Sequence, residues 1–159
     1  MKYNKIKVNG DYYYVAKTDK GLTFLGHKNR SFEDLKNYFP KEELILSNDF
    51  KDVETQLKEY FLHKRKNFNL KFDLIGTEFQ VKVWKQLLKI EYGKTKAYSK
   101  IALELGDKKK TRAVSNAIAK NPLPIVIPCH RVIGLNGELR GFGGGLELKS
   151  WLLNHEKDN

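Results

Sequence analysis

The chain contains one cysteine, Cys129, which stands within the sequence Ile127-Pro128-Cys129-His130-Arg131. The thiolate is the reactive form of cysteine, and nearby positive charge lowers the pKa of a thiol. Cys129 is therefore a candidate nucleophile, and His130 is the group that could take its proton, directly or through a water molecule. The alternative is a small buried hydrophobic residue, because free cysteine is among the most buried residue types.

An imidazole that acts as a base needs an acidic group to orient it. The sequence offers three glutamates for this task, Glu138, Glu147 and Glu156. Glu156 lies near the end of the last predicted helix, where a solvent-exposed side chain is the more common case. The sequence alone leaves the choice among the three open.

The segment before the cysteine is stiffened by three prolines, Pro122, Pro124 and Pro128. Proline fixes φ and removes a backbone donor, which suits a nucleophile held in a preset position. Asn121 could brace this turn through side-chain hydrogen bonds, or it could be an ordinary residue at the end of a helix.

Composition limits the class of protein. A chain of 159 residues fits one typical domain or a small module fused to a slightly larger one. A single cysteine excludes an internal disulfide and a Cys-x-x-Cys motif, and it favours a reducing compartment. The sequence shows no secretory segment and no apolar run long enough to span a bilayer. We expect a soluble, cytoplasmic monomer without a metal or another cofactor.

The formal charge is +11 and the isoelectric point is about 9.6. Such an excess of positive charge indicates a polyanionic partner, with nucleic acid ahead of a membrane surface. Residues 70–159 carry 16 basic and 9 acidic side chains, against 14 and 10 in residues 1–69. The more basic half is the one that contains the cysteine.

The N-terminal half predicts a small strand-rich α/β module over residues 1–69. Lys5–Val8, Tyr12–Ala16 and Leu22–Leu25 are rich in β-branched and aromatic residues, and Asn9-Gly10 is a typical two-residue hairpin turn. Apolar residues at helical spacing predict a helix over Asp52–Leu62. The basic, polar segment that follows is a plausible linker, and no residue of this half carries recognisable chemistry.

Residues 70–159 predict a mainly helical domain, so the fold class is α+β. Thr77 and Gln80 form a capping box before an apolar stripe. Two short helices are expected at Tyr98–Leu105 and Lys109–Lys120, joined across a glycine as in a helix-turn-helix. A last helix is expected over Leu146–His155, with Trp151, Leu152 and Leu153 on its buried side.

The second short helix begins with basic residues, and the side chains that follow them are small. Lys110, Thr111 and Arg112 precede Ala113 and Ser115, with further alanines downstream. Basic residues at a helix N-terminus suit phosphates, small side chains allow close approach to a groove, and an arginine could enter a base stack. For the charges alone, a solvated loop before an alanine-rich helix is the simpler interpretation.

Several of these segments together resemble one family. Asn121-Pro122-Leu123-Pro124-Ile125, Pro128-Cys129-His130-Arg131, the loop Gly141–Leu146 and the ending Lys149–Glu156 occur in the order and spacing of the O6-alkylguanine-DNA alkyltransferases. Gly93-Lys94-Thr95 with Tyr98, and Arg112-Ala113-Val114, resemble the same family. The resemblance covers roughly residues 72–156.

The resemblance implies repair of O6-alkylguanine in double-stranded DNA, and of O4-alkylthymine, by irreversible alkyl transfer to the cysteine. The helix-turn-helix would bind the minor groove, and the damaged base would rotate out of the duplex. Cys129 would attack the alkyl carbon, with His130 and Glu156 as the deprotonation relay. By position, the resemblance implies that Tyr98 donates a proton to guanine N3, that the Gly143 N–H donates to O6, and that the carbonyls of Cys129 and Val132 accept from the exocyclic amine. It also implies that Asn121 and Arg131 anchor the turn. Arg112 would fill the gap that the rotated base leaves in the stack.

The chain departs from some relatives at three positions. Phe142 stands where some have a tyrosine, Gly143 where some have a serine, and Arg140 adds charge beside the same loop. Two other readings compete with repair. A lesion-binding relative without enzymatic activity would lack the nucleophilic cysteine, and a Cys-His hydrolase would need an oxyanion hole and no basic helix-turn-helix.

Overall fold

The computed structural model describes residues 1–157. The chain divides into two compact units, one of residues Met1–Ile75 and one that begins at Gly76. The first unit is built on a β-sheet and the second is mainly helical. This confirms the predicted α+β class.

Antiparallel strands form most of the sheet in the first unit, as the sequence predicts. The strands are β1 (Lys2–Val8), β2 (Asp11–Thr18), β3 (Gly21–Leu25) and the short β4 (Ile45–Leu46), in the order β3-β2-β1-β4. β4 pairs parallel to β1. Asn9 and Gly10 join β1 to β2 with positive φ angles of 53° and 84°, which a type I′ hairpin turn requires.

Two helices complete the first unit. α2 (Lys51–Phe61) confirms the predicted helix and buries Val53, Leu57 and Tyr60. α1 (Phe32–Tyr38) is not predicted from the sequence, because it is only seven residues long and buries a single residue, Leu35, within its span. Such a short segment shows too few turns for a helical period to be recognised.

The backbone of residues 71–73 pairs with β3. The N–H of Leu22 donates to the carbonyl of Lys71 at 2.8 Å, and the N–H of Asp73 donates to the carbonyl of Leu22 at 3.0 Å. The hydroxyl of Thr18 donates to the carboxylate of Asp73 at 2.6 Å. The residues just after position 69 therefore pack with the sheet.

The second unit contains the predicted helix pair. α3 (Glu78–Leu87) begins with the expected capping box, since the Gln80 N–H donates to Thr77 Oγ1 at 3.1 Å and the Thr77 N–H donates to Gln80 Oε1 at 3.0 Å. α4 (Tyr98–Glu104) is followed by a 3-10 turn (Lys108–Lys110) and by α5 (Thr111–Ala119). The indole N–H of Trp84 donates to the carbonyl of Ala117 at 2.9 Å and joins α3 to α5.

Two short strands and the last helix complete the second unit. β5 (Lys96–Ala97) pairs parallel to β6 (Val132–Ile133). α6 (Leu146–Lys157) confirms the predicted last helix. The expectation that Trp151 lies on its buried side is wrong, because Trp151 is 46% exposed and stacks on the His155 ring with centroids 5.0 Å apart. The buried side of α6 is formed instead by Lys149, Leu152, His155 and Glu156.

No helix within residues 1–157 has the length and apolar character that a membrane crossing needs.

Candidate active site

A tight turn holds Cys129 in place. Pro128 has φ −79° and ψ 63°, and the Cys129 N–H donates to the carbonyl of Ile127 at 2.7 Å. These values define an inverse γ-turn, after which Cys129–Arg131 form a 3-10 turn. The thiol is almost fully buried, because Cys129 is 6% exposed.

Asn121 braces this turn, which is one of the two roles that the sequence left open for it. Its side-chain amide donates to the carbonyl of Ile127 at 2.9 Å, and its Oδ1 accepts from the N–H of Leu123 at 3.0 Å. Between these two contacts the chain passes through Ile125, which has a positive φ of 74°. A β-branched residue is rare in this conformation, so the hydrogen bonds of Asn121 hold a strained segment in shape.

His130 and Glu156 form a buried pair. The ring Nε2 of His130 lies 2.7 Å from Glu156 Oε2, and neither side chain is more than 1% exposed. A carboxylate can only accept, so Nε2 carries the proton in this contact. Nδ1 of the neutral ring then presents a lone pair, and this buried atom has no hydrogen-bond partner within residues 1–157. The pair therefore holds His130 in the neutral tautomer whose Nδ1 can accept a proton.

Arg131 supplies the positive charge that Glu156 needs in the protein interior. Its Nε donates to Oε1 at 2.8 Å and its Nη2 to Oε2 at 3.0 Å, while Nη1 donates to the carbonyl of Ile90 at 2.6 Å. The N–H of Gly93 also donates to Oε1 at 3.3 Å. The two-point contact between Arg131 and the Glu156 carboxylate is the bidentate, strong form of an ion pair. Of the three candidate glutamates, Glu156 is the one beside His130, whereas Glu138 bonds to Arg140 at the surface and Glu147 is exposed.

The protonation states of the site follow from burial and from these contacts. Burial raises the pKa of the Cys129 thiol to about 11, and the Asn121 amide, the Lys149 charge and two backbone N–H groups oppose that rise. Burial also lowers the pKa of His130. Burial acts to raise the pKa of Glu156, but the hydrogen bonds and charges of His130 and Arg131 outweigh it and hold that pKa well below its usual range. The resting site therefore holds a thiol, a neutral imidazole and a carboxylate.

The pairing of β5 with β6 brings Tyr98 to the cysteine. Lys96 pairs with Val132 and Ala97 with Ile133, so the strand that leads into α4 lies beside the strand that follows the Cys129–Arg131 turn. Tyr98 is 5% exposed. Burial raises the pKa of its phenol, and the negative charge of a Cys129 thiolate raises it further.

Lys149 is a residue of this site that the sequence analysis missed. It is fully buried, and its Nζ donates to the carbonyl of Arg140 at 3.0 Å and to the hydroxyl of Tyr98 at 3.4 Å. Helical spacing could have found it, because Lys149, Leu152 and Glu156 recur at intervals of three and four residues on one face of α6.

The remaining predicted substrate contacts lie in the segment that follows the cysteine turn. Val132 is fully buried, and its N–H donates to the carbonyl of Cys129. Phe142 is half-buried and Gly143 is exposed, and the Gly145 N–H donates to the carbonyl of Phe142 at 2.8 Å in a tight turn. This turn leads directly into α6, the helix that carries Lys149 and Glu156.

The predicted DNA-binding residues lie around the start of α5. Lys110, Arg112 and Ala113 are exposed, and Thr111 and Ser115 are half-buried. Ala117, which we expected near the same small-residue face, is instead buried against α3. The exposed face of α5 consists of Arg112, Ala113, Asn116 and Ala119, and the exposed Lys120 follows the end of the helix.

No cluster of three or more metal-ligating side chains occurs in the part of the chain that the structure describes.

Two family models match the chain, one to each unit. Residues 1–74 match the model of the 6-O-methylguanine DNA methyltransferase ribonuclease-like domain. Residues 78–158 match the model of the 6-O-methylguanine DNA methyltransferase DNA-binding domain.

Individual relatives cover nearly the whole chain. An inducible methylated-DNA–protein-cysteine methyltransferase of Bacillus subtilis (strain 168) is 43% identical over 150 residues, which are 91% of this chain and 84% of the relative. A Methanosarcina barkeri protein of the same description is 37% identical over 155 residues, 93% of this chain and 98% of the relative. The crystal structure of Mycobacterium tuberculosis OGT in complex with DNA superposes with a TM-score of 0.86 at 36% identity, and covers 99% of this chain and 94% of that one.

Proposed function

Since the chain belongs to the 6-O-methylguanine DNA methyltransferase family, whose members repair DNA by transferring a methyl group to a protein cysteine, we propose that Cys129 is the acceptor. The observation that carries this proposal is the buried hydrogen bond of Glu156 with His130, the residue that follows Cys129 in the chain. Cys129 is also the only cysteine of the chain, so no other thiol can receive the group.

The first step is removal of the thiol proton. A thiol with a pKa near 11 is mostly protonated at neutral pH, so the site has to supply a base. His130 fits this role because Glu156 fixes the proton on Nε2 and leaves Nδ1 as acceptor. A water molecule passes the proton from Cys129 to Nδ1, and the carboxylate of Glu156 stabilises the imidazolium that forms.

The second step is displacement at the alkyl carbon of O6-alkylguanine. The Cys129 sulfur forms a bond to that carbon, the bond from carbon to O6 breaks, and the electron pair moves to the guanine. Guaninate is a poor leaving group unless hydrogen-bond donors stabilise the negative charge that develops on it. Tyr98 donates a proton to N3 and the Gly143 N–H donates to O6. The carbonyls of Cys129 and Val132 accept from the exocyclic amine, and Phe142 packs beside the base.

DNA binding is assigned to α4 and α5. The basic 3-10 turn that includes Lys110 and the N-terminal end of α5 meets the backbone phosphates, helped by the helix dipole. Thr111, Ala113 and Ser115 allow close approach to the minor groove. Arg112, which is exposed at the start of α5, fills the gap left when the damaged nucleotide rotates out of the duplex.

The thioether product cannot act again as a nucleophile, so the reaction is a single turnover for each molecule. The substrates we assign are O6-alkylguanine and O4-alkylthymine in double-stranded DNA, bound by a monomer in the cytoplasm. We assign residues 1–69 a supporting role and residues 70–159 the DNA binding and the chemistry.

The test is the intact mass of the protein after mixing with a duplex that contains one O6-methylguanine, followed by peptide mapping. We expect a gain of one methyl group on Cys129 that stops at one equivalent. An unmodified protein that binds the lesion tightly would instead support a lesion sensor, and methylation at another residue would refute the assignment of Cys129.

A further inference from the structure

One face of the hairpin formed by β1 and β2 carries lysines and tyrosines in register. Lys5 pairs with Tyr14 and Lys7 pairs with Tyr12 across the two strands. Directly paired residues of antiparallel strands project to the same face of the sheet, so these four side chains form one cluster, which we call the hairpin patch. The residues that alternate with them are buried on the opposite face and are Ile6, Val8, Tyr13 and Val15.

Helix α1 covers only part of the face that carries the hairpin patch. Leu35 of α1 belongs to a buried cluster with Phe24 of β3, and Tyr14 lies half-buried against that cluster. Tyr12 by contrast is 43% exposed, and both lysines of the patch are exposed as well. The outer end of this face therefore presents an aromatic ring and two ammonium groups to solvent.

The two lysines of the patch have no acidic partner. None of the ion pairs found within residues 1–157 includes Lys5 or Lys7. Their Nζ atoms lie instead 4.5 Å and 5.6 Å from the centroid of the Tyr12 ring. Asp11, the acidic residue at the start of β2, has its carboxylate 3.9 Å from Nζ of Lys28. The hairpin patch therefore carries an uncompensated positive charge around an exposed ring.

This combination of groups fits a strand of nucleic acid with unpaired bases. Bases stack on aromatic side chains whatever their sequence, and ammonium groups contact the phosphates. A sheet face with exposed aromatic residues is a common platform for such stacking. A duplex encloses the faces of its bases, so an exposed ring selects a single strand. An acidic peptide would use the charges of the patch and leave the ring unused.

We propose that the hairpin patch is a second nucleic-acid site of this protein and binds single-stranded DNA: Tyr12 stacks on an unpaired base, and Lys5 and Lys7 contact the phosphates beside it. Contacts between an ammonium and a ring are weak at exposed sites, so an arriving base displaces the ammonium from the ring towards a phosphate. The inference does not rest on alkyl transfer, and it gives the first unit a binding role in addition to the supporting one.

Binding is measured with the full chain by the fluorescence anisotropy of two labelled strands. One strand is oligothymidylate, and the other is the same sugar–phosphate strand without bases, so that only the first can stack. An excess of unlabelled duplex occupies the DNA contact that we assign to α5. Tyr12→Leu removes the ring and keeps an apolar side chain, and Lys5→Gln combined with Lys7→Gln removes both charges.

The first unit offers a matched control for each change. Tyr38 is 42% exposed, so Tyr38→Leu removes an equally exposed ring outside the patch. Lys58 and Lys64 are exposed, so Lys58→Gln combined with Lys64→Gln removes the same charge elsewhere. Both controls should bind the two strands as the original chain does.

The two patch variants should differ in what they lose. Tyr12→Leu should weaken the binding of oligothymidylate by about fivefold or more and leave the binding of the base-free strand unchanged, because only stacking is removed. The double lysine variant should weaken the binding of both strands. It should also reduce the slope of log affinity against log salt by about 1.4, since each phosphate contact to a single strand contributes about 0.7.

A merely structural role would give a different pattern. Contacts across the strands also stabilise a sheet, so each variant is checked for folding by circular dichroism in urea. Patch variants that bind oligothymidylate like their controls would overturn the proposal, as would a Tyr12→Leu variant that loses affinity for both strands equally. Loss of all strand binding in excess duplex would exclude a second site. Labelled polyglutamate that binds the patch as tightly as oligothymidylate would identify an acidic-peptide surface instead.

Cross-linking tests the original chain without any variant. A strand with 5-bromouracil in place of thymine is irradiated with the full chain, and the joined peptide is identified by mass spectrometry. We expect a cross-link at Tyr12, and cross-links confined to the second unit would overturn the proposal. Failure of the proposed function is distinguishable, because Cys129→Ser should still bind the strand at the patch, and the patch variants should still transfer a methyl group from a duplex to Cys129.

Discussion

Replacing Glu156 by glutamine should both destabilise the second unit and disable its base. The change removes one charge but hardly alters the volume. The Glu156 carboxylate is fully buried and accepts from Nε and Nη2 of Arg131 and from Nε2 of His130. Removing one partner of a buried ion pair costs about 3–5 kcal/mol, because the other charge stays behind without compensation. A loss of that size is a large part of the usual 5–15 kcal/mol of folding stability, which is about the range for small domains.

The chemical effect arises from the tautomer of His130. The amide nitrogen of glutamine is a donor, so where it faces Nε2 the imidazole must accept there and carry its proton on Nδ1 instead. Nδ1 is the atom that we assign to receive the thiol proton. Loss of a positioned general base typically costs about 100-fold or more in rate, and we expect single-turnover alkyl transfer of Glu156→Gln to fall by at least that factor.

The two effects are measured separately. Both tryptophans of the chain, Trp84 and Trp151, belong to the second unit, so their fluorescence in urea follows the unfolding of the unit that carries the site. The rate is measured by quenched-flow mixing with a methylated duplex at low temperature, where the variant is folded by circular dichroism. Glu147→Gln is the matched control, because Glu147 lies exposed on the same helix. A Glu156→Gln protein as stable and as fast as this control would refute the roles of both contacts.

Three further predictions concern the thiol, the DNA contact and acid stability. Cys129→Ser should abolish alkyl transfer and retain DNA binding, since only the nucleophile changes; gel-shift assays that show no binding would count against the assignment. Arg112→Ala should slow repair in duplex DNA more than reaction with free O6-benzylguanine, and equal effects on the two substrates would exclude a role in filling the stack. Because the pKa of Glu156 is depressed in the folded state, its stabilising contribution is complete above pH about 4.5 and is lost as pH falls below that value, where the unfolded chain takes up the proton first. Urea unfolding between about pH 6 and pH 3 should show this decline, and Glu156→Gln should show a shallower one.

The sequence predicted those parts of the fold that depend on local patterns. The hairpin at Asn9-Gly10, the capping box at Thr77 and the helix that ends before Gly106 each follow from a few adjacent residues. Those signals are local because the residues that indicate the turn or cap in the sequence are the same residues that form it. α1 and the two-residue strands lack such signals and depend on the elements that they pack against.

The sequence identified Cys129 as a candidate nucleophile but did not determine which residues lie around it. The sequence does not distinguish among the candidates Glu138, Glu147 and Glu156. Only the tertiary structure shows that Glu156, 26 residues away in the chain, contacts His130. The burial of Lys149 was missed for a related reason. A lysine in an amphipathic helix normally marks the solvated face. The helical spacing that Lys149 shares with Leu152 and Glu156 indicates a common face, but it does not show that Tyr98 and the carbonyl of Arg140 enclose the lysine.

The deep burial of Cys129 also bears on how long an unused molecule lasts. Peroxides and other oxidants attack the thiolate, and a cysteine is susceptible in proportion to its thiolate character and its access. With a pKa of about 11, only about one thiol in ten thousand is ionised at neutral pH. In the single-turnover reaction that we propose, over-oxidation of the sulfur before transfer would remove the capacity of that molecule permanently. The burial that, in our proposal, makes Cys129 depend on His130 for activation would therefore also protect the thiol from oxidation before it meets a damaged base.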